Sequence, residues 1–88
     1  GAYAMNKNTT GKENTATGSQ ALYNNTSGNN NNAFGFFALV NNTTGSNNIA
    51  IGDSALLNNT TQSDLTAVGN GALQSNSNGH GNSAFGFK

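Results

Sequence analysis

Few side chains in this chain can move a proton near neutral pH. His80 is the only histidine, and the carboxylates number three, Glu13, Asp53 and Asp64. A catalytic histidine needs a carboxylate to orient it and a nucleophile within hydrogen-bond reach. The sequence offers no spacing that supplies either. Cysteine is absent, which excludes thiolate nucleophiles, thiolate metal sites and disulfides. Calcium-binding β-rolls need an aspartate in every turn, and two aspartates cannot build that ladder. The G-x-G runs at Gly69–Gly71 and Gly79–Gly81 do not extend to a dinucleotide fingerprint. No catalytic, cofactor-binding or metal-ligating residue is therefore assigned, no cofactor is expected, and the chain reads as a non-enzyme.

The elements that would position such residues explain their pattern. Gly1, Gly18, Gly35, Gly52, Gly69 and Gly86 stand 17 residues apart throughout the 88-residue chain. Three places after each comes Ala4, Ala21, Ala38, Ala55 or Ala72, and then Met5, Leu22, Leu39, Leu56 or Leu73. Asn8, Asn25, Asn42, Asn59 and Asn76 form another column, followed by Thr9, Thr26, Thr43, Thr60 and Ser77. A second glycine column holds Gly11, Gly28, Gly45 and Gly79, with Gln62 as its exception. Ala16, Ala33, Ala50, Ala67 and Ala84 precede Thr17, Phe34, Ile51, Val68 and Phe85. The unit is G-x-x-A-L-x-N-N-T-T-G-x-N-N-T-A-Φ, with Φ mostly large and apolar. Residues 1–88 form one repeat array of about five such units, expected to be an excerpt of a longer fibre because neither end carries a capping element. His80 falls in the column of Lys12, Asn29, Ser46 and Ser63, the place of a solvated corner.

Two glycines and several Asn, Ser and Thr per unit disfavour helix, and the apolar residues come as short dyads without helical spacing. The expected fold is all-β, a parallel β-solenoid (β-roll) of 17-residue turns. Each Ala-Φ and Ala-Leu dyad is expected on a short strand, with a glycine corner between them and the N-N-T-T-G stretch folding the chain back. Stacked turns bring equal residues about 4.8 Å apart, where asparagines can form amide ladders. Strand neighbours face opposite ways, so each dyad is expected to present one residue inward and one outward. One chain's interior covers only the first set. A thin solenoid that exposes the second is expected to self-associate with rotational symmetry.

The runs N-T-A-T-G-S-Q-A-L-Y-N-N-T-S-G (Asn14 to Gly28) and N-I-A-I-G-D-S-A-L-L-N-N-T-T (Asn48 to Thr61) resemble head repeats of trimeric autotransporter adhesins. They are similar still more to repeats of bacteriophage tail fibres that carry a C-terminal self-cleaving chaperone. The resemblance implies a left-handed β-roll in which three chains pack around a common axis. It also implies a structural or adhesive segment of an extracellular fibre, on a virion or a bacterial surface, that attaches to a host. Adhesin heads use shorter turns, and the longer N-N-T-T-G stretch here is expected to add an outer loop or an extra side to the coil.

The expected partners are sister subunits in a homotrimer and a host glycan or protein receptor, with no residue assigned to receptor binding. Lys plus Arg and Asp plus Glu are three each, so there is no cationic patch for nucleic acid, and no apolar run is long enough for membrane insertion. The sequons, such as Asn42-Thr43-Thr44, follow from the repeat. Phe36, Phe37, Phe87, Tyr3 and Tyr23 occupy variable columns, where they are expected to line an inter-subunit seam; exposed aromatics can also stack on sugars. The ladder of Thr9, Thr26, Thr43 and Thr60 admits an ice-binding alternative, and a self-assembling extracellular filament is a further one.

Overall fold

A computed structural model of the chain describes residues 2–76 and 81–87. Three-residue strands recur once per repeat: β1 (Thr15–Thr17), β2 (Asn32–Phe34), β3 (Ile49–Ile51), β4 (Thr66–Val68) and β5 (Ser83–Phe85). They form one parallel sheet in sequence order. The register sets Ala16, Ala33, Ala50, Ala67 and Ala84 directly beside one another. The chain is thus an all-β solenoid of about four turns joining five strands. Turns one to five below denote the successive 17-residue units that begin at Gly1, Gly18, Gly35, Gly52 and Gly69.

The middle alanine of each strand points inward, and Ala33, Ala50 and Ala67 are fully buried. The strand residues on either side point outward, as pleating requires. The chain then turns at Gly18, Gly35, Gly52 and Gly69, whose φ values lie between +119° and +136°. A Cβ on Gly35 would stand 2.5 Å from the Gly52 carbonyl oxygen of the next turn. Glycine is required here by both its torsion and the approach of a neighbouring backbone.

The Ala-Leu dyads do not lie on strands, which corrects the sequence expectation. They lie in a chain of interlocked turns, where Ala38 N–H donates to the Gly35 carbonyl and Val40 N–H to the Phe37 carbonyl. Leu22, Leu39, Leu56 and Leu73 have φ between 50° and 54°, in the left-handed region. That conformation breaks the in-out alternation of a strand. Ala21, Leu22, Ala38, Leu39, Ala55 and Leu56 are all fully buried within the single chain. Left-handed torsion costs about 1–2 kcal/mol per non-glycine residue, and burying a leucine returns roughly 1.5–3 kcal/mol. Packing therefore holds each leucine where local preference would not. The intervening amides bind the next turn, as Leu39 N–H does to the Ala55 carbonyl at 3.0 Å.

The N-N-T-T-G stretch forms an extra packed side of the coil, with Asn25, Asn42 and Asn59 fully buried. Three consecutive amides, those of Thr26, Ser27 and Gly28, converge on the single carbonyl of Thr43 one turn on, at 3.0–3.1 Å. The same cradle joins Thr9, Thr10 and Gly11 to the Thr26 carbonyl, and Thr43, Thr44 and Gly45 to that of Thr60. Asn31 and Asn48 complete the buried polar interior.

Candidate binding surfaces and the asparagine spine

Two internal amide ladders fix the spacing of every surface column. In the first, Nδ2 of Asn25 donates to Oδ1 of Asn8 at 2.8 Å, Asn42 to Asn25 at 2.8 Å and Asn59 to Asn42 at 2.9 Å. Each Nδ2 also donates to a carbonyl three residues on, for example Asn42 to Gly45 at 2.9 Å. In the second, the Oδ1 atoms of Asn14, Asn31 and Asn48 accept the backbone N–H of Asn31, Asn48 and Leu65 at 2.9–3.0 Å. A buried amide satisfied in this way contributes rigidity and register at little net polar cost. The asparagine columns are structural.

Turn four interrupts both ladders. Leu65, fully buried, stands where turns one to three have Asn14, Asn31 and Asn48. Gln62 stands where they have Gly11, Gly28 and Gly45. A Cβ on any of those glycines would overlap the backbone carbonyl of the next turn: Gly28 for Gly11, Gly45 for Gly28, Gln62 for Gly45. Gln62 carries such a Cβ, and the residue facing it one turn on, Gly79, lies outside the described residues. Above it, the buried Oδ1 of Asn59 accepts no hydrogen bond among the described residues, whereas the same atoms of Asn25 and Asn42 each do.

The outer face of the sheet is the main apolar surface. Phe34, Ile49 and Ile51 are 38–42% exposed and Phe85 is 74% exposed, while Val68 is half-buried and Thr17 starts the same column. These side chains stand on the outward side of the strands. A second surface carries the threonine column. The hydroxyls of Thr9, Thr26 and Thr43 donate to the Thr26, Thr43 and Thr60 carbonyls at 3.1–3.2 Å, so their protons are held by the backbone.

A third surface follows the first glycine column: Ser19, Phe36, Asp53, Asn70 and Phe87. Phe36 is 47% exposed and stacks on Phe37, ring centroids 4.0 Å apart and 16° from parallel. Asp53 N–H donates to Asn70 Oδ1 at 3.2 Å, and the Ser54 hydroxyl donates to Asp53 Oδ1 at 2.9 Å. Asp53, Ser54, Asn70, Gly71, Gln74 and Phe87 line a shallow groove of about 330 Å³. At the other end of the molecule Tyr3 meets Tyr23 edge-to-face at 6.4 Å, with the Lys7 ammonium 5.5 Å above the Tyr23 ring.

Among the described residues the carboxylates are not brought together. Asp64 is exposed at a left-handed corner and accepts a 3.3 Å hydrogen bond from Asn47 Nδ2. Glu13 occupies the same corner three turns away, about 14 Å at the stacking distance. Asp53 belongs to another side of the coil, and His80 lies outside the described residues. The groove was missed in the sequence because its column is a variable one. Its signal was the persistence of polar and aromatic residues at one repeat position.

Comparison with protein-family models, with curated proteins and with solved structures finds no match to this chain.

Proposed function

We propose that the chain is a structural and adhesive segment of an extracellular trimeric fibre, of the phage tail-fibre or bacterial surface-adhesin kind, that mediates attachment to a host or surface. The observation that carries this reading is the column of Thr17, Phe34, Ile51, Val68 and Phe85 on the sheet's outer face. The interior covers the Ala-Leu dyads of turns two to four completely, so the Φ column is the apolar column on the strands that remains to be covered. Side chains 40–42% exposed on a flat strand face, as Phe34 and Ile51 are, fit burial against identical columns of sister subunits. Three left-handed coils around one axis would leave no Φ column in water and would hold a receptor-binding region away from the particle.

Ile51→Asp tests the reading. One carboxylate per subunit would then meet at an apolar interface without a cation to pair it. The expected result in native mass spectrometry is loss of the trimer, with the monomer keeping its β-sheet circular dichroism because Ile51 lies outside the core. A variant that stays trimeric would remove the Φ column from the interface. The threonine hydroxyls, engaged with backbone carbonyls, favour this reading over ice binding, and a thermal-hysteresis assay on the purified chain is expected to show none.

A further inference from the structure

The third surface can do more than fill space. We propose that the column Phe36, Asp53, Asn70 and Phe87 is a binding strip for a short neutral oligosaccharide. The inference deepens the attachment reading above and rests on it, by naming the ligand class and the residues.

Its geometry comes from the repeat. The four residues sit at one position of four successive turns, so the two phenylalanines are three stacking steps, about 14 Å, apart. That span is the length of a short oligosaccharide, with an aromatic platform at each end and a polar pair between. Both rings are open to solvent, Phe36 at 47% and Phe87 at 74%. Phe36 is further steadied by Phe37 behind it. Aromatic rings take the apolar C–H face of a pyranose, while carboxylates and amides bind its hydroxyls.

The polar pair is pre-oriented. Asn70 accepts the Asp53 N–H through Oδ1, which leaves its Nδ2 as a donor to a ligand. The Ser54 hydroxyl anchors one carboxylate oxygen of Asp53, which fixes the direction of the other. Gln74 adds a second amide to the same groove. Beneath them the backbone is locked, with Gly71 N–H on the Asp53 carbonyl at 2.8 Å and Ser54 N–H on the Phe36 carbonyl at 2.8 Å. A site held by the coil itself loses little entropy on binding.

Charge decides the kind of sugar. Among the described residues the cations are Lys7 and Lys12, both in turn one, and Asp53 has no ion-pair partner there. A carboxylate at the centre of the strip, with no described cation beside it, accepts hydroxyl protons and repels an anionic saccharide. The same carboxylate argues that the strip stays wet in an oligomer, since a sister subunit laid over it would bury one carboxylate per chain.

The test is an NMR titration of the isotope-labelled chain with lactose, maltose and cellobiose, and with sialyllactose as the anionic control. Open carbohydrate sites bind weakly, on the order of 1 mM, so titration runs to about 50 mM. At least one neutral disaccharide is expected to give saturable shifts at the amides of Asp53, Ser54, Asn70 and Gly71, with sialyllactose weaker. Asp53→Ala and Asn70→Ala, both at exposed positions, are expected to weaken that binding at least about tenfold without changing the oligomeric state. No saturable shift with any of the neutral sugars would overturn the proposal. So would an Asp53→Ala variant that changes the oligomeric state and leaves sugar binding intact, because the column would then belong to a subunit seam. Binding of the labelled chain to intact cells, undiminished by Asp53→Ala, would sink the strip while leaving the attachment reading standing.

Discussion

Gly35→Ala is expected to destabilise the solenoid by about 4 kcal/mol or more, enough to unfold a chain of this size at ordinary temperature. Two costs coincide at this residue. Its φ of +136° lies in a region that only glycine enters readily, a strain of about 1–3 kcal/mol for alanine. The new methyl carbon would also stand 2.5 Å from the Gly52 carbonyl oxygen and 2.7 Å from its carbon. Those are backbone atoms, fixed by the 2.7 Å bond from Gly52 N–H to the Phe34 carbonyl, and they cannot yield without opening the sheet. Gly81→Ala separates the two costs. Gly81 has φ +70° but no described atom within 4 Å of an added Cβ, so about 1 kcal/mol is expected there. Thermal denaturation followed by circular dichroism reads both variants. Equal losses would mean that stacking contact is not what the first glycine column secures.

The second large effect is expected at the centre of the amide spine. Asn42→Ala removes the donor to Asn25 Oδ1, one donor to the Gly45 carbonyl and the acceptor for Asn59 Nδ2. Gly45 retains the bond from Asn31 Nδ2 and Asn59 retains the Gln62 carbonyl, but Asn25 Oδ1 is left buried with no donor. An unmet buried acceptor and the cavity beside it cost together about 3–5 kcal/mol. Asn42→Asp keeps the shape and makes the loss depend on pH. Burial and the facing Asn25 oxygen favour the protonated carboxyl, so its folded-state pKa is raised above the unfolded value. Stability of that variant should be greatest below about pH 4, and fall as pH rises through the folded-state value. A variant whose melting temperature rises with pH over that window would show that the amide at position 42 is not enclosed as described.

The period, both glycine columns and the asparagine ladders were legible in the sequence because each is a side-chain identity repeated every turn. The Ala-Leu dyads misled because leucine carries no mark of left-handed torsion. Only the packed interior, which encloses Leu22, Leu39 and Leu56 beside their alanines, explains why they adopt it. That outcome halves the outward apolar surface expected from pleating and concentrates it on the Φ column. The cradles around the Thr26, Thr43 and Thr60 carbonyls were invisible for a different reason, since main-chain donors and acceptors have no sequence signature. Gln62 and Leu65 were visible as exceptions, but their consequence needed the third dimension, where Leu65 is fully buried in an asparagine's place and the Gln62 carbonyl accepts from Asn59 Nδ2. The sugar strip lay between these cases: its residues could be read, while the orientation of Asp53 by Ser54 and Asn70 could not.

Sedimentation equilibrium of the unmodified chain over a wide concentration range tests the central claim most directly. A mass three times the 8.9 kDa of one chain is predicted, held down to low micromolar concentration. A well-ordered 8.9 kDa species at every concentration would contradict it, because Phe34, Ile51 and their column would then face water in the native state.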